Sequence, residues 1–230
     1  MWKCSAVLLV GLVWWTEVAG AGEDTVTHWL TVSIHPDVSP PMYQQEVEGI
    51  LKGASDILQG RTPITPHNNC KVEFKFKGFI PFPQSLPADI KNETDLEKVQ
   101  EVPADVKVVN SITYCAEEPQ KNGVLGCAWR RDVKLPRTVI VTRWGSAPGD
   151  GIAPVLWAHE YGHTTGLNHR YHKGVLSYSE NLMTPCELEV VSQPINDDEC
   201  DHFLKGPAKR YPPTLGPKCT VKPSTGHLPD

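Results

Sequence analysis

Residues 153–169 read APVLWAHEYGHTTGLNH and combine helical spacing with three histidines. The apolar residues recur at helical spacing, which predicts a helix from Ala153 to Thr165. Residues four apart lie one above the other on a helix, so His159 and His163 can direct both imidazoles at one ion. Glu160 comes next to the first histidine and can reach a water on that ion without binding the ion itself. This stretch therefore predicts a metal site built on a helix.

A third histidine follows the helix. Gly166 can adopt a positive φ and end the helix, which turns the chain back and brings His169 to the same metal. Three neutral imidazoles leave the fourth tetrahedral position to water, as in catalytic zinc sites and unlike closed structural ones. His172 could compete as third ligand, but the spacing of His169 matches the pattern and that of His172 does not. We therefore predict one catalytic Zn²⁺ held by His159, His163 and His169.

The histidine pattern could also arise by chance or belong to a zinc site without catalysis. Its five fixed positions should occur by accident on the order of once in ten thousand chains of such composition. Chance therefore accounts poorly for the pattern. A purely structural zinc site, or an inactive one, has no use for the carboxylate of Glu160.

Two segments resemble the metzincin metallopeptidases. HEYGHTTGLNH, residues 159–169, resembles their zinc signature, and Asn181-Leu182-Met183-Thr184-Pro185 resembles their Met-turn. The resemblance implies that Met183 forms an apolar floor beneath the three histidines, although a methionine in this position could also be an ordinary core residue. In residue detail it covers 159–185, and the order of strands and helices from 29 to 165 is similar to the upper subdomain of that family.

The same resemblance implies an α/β fold. We expect a twisted mixed sheet with two long helices in an upper subdomain, and a small, irregular, disulfide-stapled lower subdomain. In that family an edge strand ahead of the zinc helix pairs with an extended substrate, which makes residues 126–131 or 138–143 the candidates. Arg170 does not match the residue that distinguishes the metzincin branches, so no subfamily is assigned.

Periodicity places the remaining elements. A helix is predicted from Pro41 to Leu58, and a long polar connection with four prolines is predicted over residues 81–103. The predicted order of strand, helix, several strands and helix suggests a sheet with helices packed against it. No repeat or linker divides the chain, so we expect one metallopeptidase domain over 22–230, with a proline-rich tail from about Lys205. Strands are predicted at residues 29–34, 71–79, 106–114, 126–131 and 138–143.

Residues 1–21 predict a signal peptide. A short basic start, the apolar stretch from Ser5 to Trp15 and the small residues Ala19-Gly20-Ala21 have the order that a signal peptidase accepts. This apolar stretch is too short to span a bilayer, so we expect a secreted, extracellular protein with no stable membrane insertion. The mature chain would start near Gly22, which leaves no room for an inhibitory pro-segment before the first strand. Asn92-Glu93-Thr94 is a glycosylation sequon if the source is a eukaryote.

Six cysteines remain in the mature chain. An even number in an oxidising compartment predicts three disulfides, and the sequence alone does not choose among the pairings. The absence of any Cys-x-x-Cys pair argues against a cysteine zinc site. Proximity along the chain favours the pairs Cys115–Cys127 and Cys186–Cys200, which would leave Cys70 to pair with Cys219.

Composition limits the partners. With a net charge of −5 and no basic stripe, the chain lacks the surface that nucleic-acid binding requires. The resemblance implies a secreted zinc endopeptidase that acts on protein or peptide substrates, with Glu160 as the catalytic base, and we expect it to be a monomer. The alternatives are a secreted zinc-binding protein without catalytic activity and a zinc hydrolase that does not act on peptides.

Overall fold

The computed structural model describes residues 24–63, 65–66, 68–115, 118–119, 123–128, 138–143, 151–169, 182–183 and 195–207. Several sequence predictions lie outside these residues: the signal peptide, residues 129–131, Arg170, His172, Asn181, Thr184, Pro185, Cys186, Cys219 and the tail beyond residue 207. The elements in the described part are β1 (Val26–Ile34), α1 (Gln44–Leu58), β2 (Val72–Phe79), β3 (Asp89–Ile90), α2 (Glu93–Gln100), β4 (Val106–Val109), β5 (Ser111–Ile112), β6 (Tyr114–Cys115), β7 (Glu118–Pro119), β8 (Gly126–Cys127), β9 (Val139–Thr142), α3 (Ile152–Thr164) and α4 (Asp197–Lys205).

A five-stranded mixed sheet forms the centre of the fold, in the order β2-β1-β4-β9-β8. The first four strands in this order are parallel, and β8 runs antiparallel to β9. All residues of β4 and β9 are buried, as expected of parallel strands covered on both faces. β9 pairs on both sides, and β8 lies at the edge of the sheet formed by the described residues. The candidate edge strand is therefore the one in 126–131, not the one in 138–143.

Helices α1 and α3 cover one face of this sheet and pack against each other. The other face is covered by α2 and the segments around it, where Leu96 and Val99 of α2 belong to the same buried cluster as Ile140 of β9. The mixed α/β architecture with two long helices is therefore confirmed. None of the helices in the described part of the chain has the length and apolar character needed to cross a membrane. The apolar residues that recur at three- and four-residue spacing along α1 are all buried: Val47, Ile50, Leu51, Ala54 and Leu58.

The predicted polar connection over residues 81–103 is wrong, because this segment contains β3 and α2. The Asn92 side chain caps α2 by accepting a hydrogen bond from the Asp95 N–H at 3.0 Å. Leu96 and Val99 are the hydrophobic residues that α2 buries. Two apolar residues in so short a helix give too weak a periodicity to identify it from sequence.

The predicted strand over residues 106–114 is divided into β4, β5 and β6. After Val109 the chain leaves the central sheet, because the Asn110 N–H donates to the Ala88 carbonyl and β5 then pairs with β3. Helix α4 was not predicted either. It begins with a capping box, in which Asn196 and Glu199 each accept a hydrogen bond from the other residue's backbone N–H.

One predicted disulfide is confirmed and two are wrong. Cys115 is bonded to Cys127, and Cys70 is bonded to Cys200 across 130 residues. The second bond excludes both Cys186–Cys200 and Cys70–Cys219. Proximity along the chain failed here because the fold brings the segment after α1 against α4, where the Asn68 side chain also accepts a hydrogen bond from the Ile195 N–H at 3.1 Å.

Candidate metal centre

Helix α3 carries the first two histidines and ends just before the third. Gly166 has a φ of 99° and follows the C-cap residue Thr165. The Gly166 N–H donates to the His163 carbonyl and the Leu167 N–H to the Gly162 carbonyl, each at 3.1 Å. These two bonds form a Schellman motif. The predicted role of Gly166 in ending the helix and reversing the chain is therefore confirmed.

The three histidines of the sequence pattern come together. The Nε2 atom of His163 lies 3.0 Å from the Nε2 atom of His159 and 3.0 Å from that of His169. One ligand atom from each residue can be chosen so that all three lie within 4.8 Å of one another. Within the described residues, this is the group of histidine, cysteine and acidic side chains that could hold a metal ion.

Hydrogen bonds at the other ring nitrogens set the tautomers of two histidines. Nδ1 of His159 donates to the Leu182 carbonyl at 2.7 Å, and Nδ1 of His163 donates to the Leu167 carbonyl at 2.8 Å. In a neutral ring the other nitrogen, Nε2, then carries a lone pair and no proton, which is the form that binds a metal. The Nε2 atoms of His159 and His163 therefore face each other with no proton between them, an arrangement that a shared cation stabilises.

Burial favours the neutral form of His159 and His169. It lowers the pKa of His159 well below its usual value, with further lowering from the neighbouring His163 and His169. Burial, followed by the charge of His163, lowers the pKa of His169 to about 3. Zinc–imidazole bonds of about 2.0 to 2.1 Å at tetrahedral angles separate ligand nitrogens by about 3.3 Å, close to the separations around His163. The residues present therefore fit a zinc ion.

Glu160 is buried beside this cluster, with 5% of its surface exposed. Its carboxylate accepts a hydrogen bond from the Ala128 N–H, just after edge strand β8. Burial raises the pKa of Glu160 to about 8, and the bond from Ala128 opposes that rise. A carboxyl group with a raised pKa can exchange a proton near neutral pH.

Met183 and Phe203 pack beneath the helix at Gly162. Both side chains are fully buried. A Cβ atom at Gly162 would lie 2.6 Å from the sulfur of Met183 and 3.1 Å from Cζ of Phe203. The glycine therefore lets α3 approach Met183, and Leu182, the residue before that methionine, supplies the carbonyl that orients His159.

The three histidines, Glu160 and Met183 were predicted as site residues from the sequence, whereas Gly126, Gly162 and Phe203, which pack around them, were not. A glycine inside a strand or helix costs stability and often marks a close approach of another group. That signal was present at both Gly126 and Gly162. Phe203 was missed because its helix, α4, was not predicted.

Comparisons with known proteins show a shared fold. No protein-family model matches the sequence, and no curated protein matches it significantly. Mature mirolysin from Tannerella forsythia, solved in complex with a cleaved peptide, is similar in structure, with a TM-score of 0.51 and 11% sequence identity over 78% of this chain and 90% of the mirolysin chain. Metalloproteinase-II from Bacteroides fragilis has a TM-score of 0.49 and 15% identity, over 80% of this chain and 54% of its own. At these identities the likeness to mirolysin concerns the fold alone.

Proposed function

We propose that this protein is a secreted zinc-dependent endopeptidase of the metzincin type. One observation carries the proposal. Three imidazoles meet at their Nε2 atoms, two of them oriented by backbone carbonyls, and the buried carboxylate of Glu160 follows the first in sequence. A structural zinc site is closed by four protein ligands, whereas three ligands and a nearby carboxylate are the parts of a hydrolytic site.

His159, His163 and His169 would hold the ion. Zinc bound there would polarise the scissile carbonyl and lower the pKa of water toward neutrality. The carbonyls of Leu182 and Leu167 hold two of the rings in the ligand tautomer, and Met183 would support the site from below. A cation at this place would also lower the raised pKa of Glu160, because an opposite charge favours the ionised carboxylate.

Glu160 would act as the base and then as the acid. Its carboxylate takes a proton from the attacking water as the new C–O bond forms, and it delivers that proton to the amine nitrogen as the C–N bond breaks. The position of Glu160 beside β8 supports a peptide substrate, because an extended chain can add to the outer side of an edge strand through main-chain hydrogen bonds. Both disulfides in the described residues support an oxidising, extracellular location, and we propose a monomer with one domain over 22–230.

Comparing Glu160→Gln with Glu48→Gln tests the proposal. Glu48 is an exposed residue of helix α1, so its variant controls for the loss of one helical carboxylate. Both variants should keep one zinc per chain, while Glu160→Gln should release new N-termini from a denatured protein about 10² to 10⁴-fold more slowly. A chelator should abolish release by the parent.

Two outcomes would favour the alternatives. A parent that binds zinc and hydrolyses nothing would be a zinc-binding protein without catalysis. A parent that cleaves simple esters and leaves amide bonds intact would be a zinc hydrolase of another class.

A further inference from the structure

Gly126 of edge strand β8 has no backbone requirement for glycine. Its φ does not lie in the left-handed region, so any L-residue could adopt its conformation. It pairs with Val141 in the central sheet. The reason for glycine here must therefore lie in what surrounds the missing side chain.

The neighbour of Gly126 is the carboxyl group of Glu160. A Cβ atom at position 126 would lie 2.3 Å from Oε1 of Glu160 and 2.6 Å from both its Cδ and Cγ atoms. These distances are far below ordinary van der Waals contact. A methyl group at 126 and the Glu160 side chain in its observed place are mutually exclusive, so one of the two must move.

The strand is held more firmly than the side chain. Cys127 is bonded to Cys115 and is 2% exposed. The Thr142 N–H donates to the Leu125 carbonyl at 2.8 Å, and β8 continues this pairing with β9. A disulfide and a strand ladder thus fix the backbone on both sides of Gly126, and they leave the flexible side chain of Glu160 as the part that yields.

The same strand supplies an attractive contact. The Ala128 N–H, two residues on, donates to the Glu160 carboxylate. Gly126 provides the space for the carboxyl group, and Ala128 provides the donor that holds it there.

We propose that Gly126 is a positioning residue: the absence of a side chain at this point of the edge strand sets the place of the Glu160 carboxylate. The catalytic consequence rests on the proposed function, whereas the packing relation between the two residues does not. A larger residue at 126 would turn Glu160 away from the position it needs for proton transfer, and it would leave the three histidines untouched.

A thermal-unfolding cycle tests the packing relation in the full mature chain. Overpacking of this kind should lower the Tm of Gly126→Ala by roughly 3 to 10 °C. The loss should persist when Gly126→Ala is introduced into Glu160→Gln, because glutamine has the same shape. It should disappear in Glu160→Ala, which removes the clashing atoms. If Gly126→Ala fails to accumulate as a folded chain, recovery of folded protein in the Glu160→Ala background gives the same support.

Kinetics tests the catalytic consequence. Gly126→Ala should keep one zinc per chain and lose about 10²-fold in kcat, the scale of a displacement near 1 Å, with KM for a peptide substrate little changed. Gly49→Ala is the matched control, because a Cβ at that helical glycine meets nothing within 4 Å, and it should keep the parent kcat.

Two results would overturn the inference. One is an equal loss of Tm from Gly126→Ala with and without the Glu160 side chain, which would mean that the methyl group clashes elsewhere. The other is a full parent kcat in Gly126→Ala. If the parent hydrolyses no peptide, the proposed function is wrong, and the unfolding cycle alone decides whether Gly126 sets the place of the carboxylate.

Discussion

Helices α1 and α3 lie side by side on the same face of the sheet, yet they differ in the burial of their ionisable residues. Seven of the fifteen residues of α1 are buried, and none of them is charged; Lys52 and Asp56 form an ion pair four residues apart. Ten of the thirteen residues of α3 are buried, including His159 and Glu160. Helix α1 keeps its charged residues out of the buried set, whereas α3 buries ionisable residues together with apolar ones.

This difference distinguishes the helix that carries the candidate site from the one that does not. Solvated charges on α1 cost little, whereas the ionisable groups of α3 bear a desolvation cost that is visible in the shifted pKa values of His159 and Glu160. Backbone groups of Leu182, Leu167 and Ala128 offset part of that cost. Such buried, shifted groups mark functional-site candidates.

Removing the central ligand of α3 should give the largest effect. His163 stands 3.0 Å from both partner nitrogens, so His163→Ala should reduce bound zinc to background and abolish hydrolysis. Lys52→Ala on α1 should keep both. Metal analysis of the purified proteins decides the matter, and one retained zinc per chain in His163→Ala would show that the ion binds elsewhere.

The second largest effect should come from removing the disulfide between Cys70 and Cys200. Cys70 lies at the end of α1, because its N–H donates to the Leu58 carbonyl. Its partner Cys200 lies in α4, whose Phe203 packs against α3 at Gly162. Replacing both cysteines by alanine should cost roughly 3 to 5 kcal/mol of unfolding free energy, because the loop that opens is long.

The pair Cys115–Cys127 is the matched control, since it closes a loop of 12 residues. By the chain-entropy relation its removal should cost about 2 kcal/mol less. Denaturant unfolding measures both, and equal losses would show that loop length does not govern their contributions.

Replacing a glycine by alanine should change the stability of the protein in opposite directions on the two helices. Gly162→Ala places a methyl against Met183 and Phe203 and should lower stability by about 1 to 3 kcal/mol. Gly49→Ala on α1 meets open space and should raise stability by about 0.5 to 1 kcal/mol. Urea unfolding of the two variants checks this, and a gain from Gly162→Ala would contradict the close approach of α3 to Met183.

The smallest effect belongs to the solvated face of α1. Breaking the Lys52–Asp56 pair with Lys52→Ala should cost about 0.3 to 0.5 kcal/mol at low salt, and less as salt screens the charges. Unfolding measured at two salt concentrations tests this. A loss above about 1 kcal/mol that salt leaves unchanged would mean that the Lys52 side chain stabilises the helix through packing.

Much of the fold could be predicted because its signals are local. Three signals come from residues a few positions apart: the apolar spacing of α1, the alternation of β2 and the apolar residues of β9. Each of these elements was predicted within a few residues of its observed bounds. Elements too short to show a period, such as α2 and β3, were missed. Helix α4 was missed despite its capping box, because no prediction used that signal.

The grouping of the three histidines could be predicted from the sequence, since helical geometry and one turn at Gly166 suffice to bring His159, His163 and His169 together. Their role as zinc ligands and that of Glu160 as base stay predictions. The edge position of β8, the bond between Cys70 and Cys200 and the contact of Gly126 with Glu160 follow from the three-dimensional packing alone. The last two contacts join residues 130 and 34 positions apart. No local pattern encodes such contacts, because they arise from the shapes that meet only after the sheet and its helices have packed.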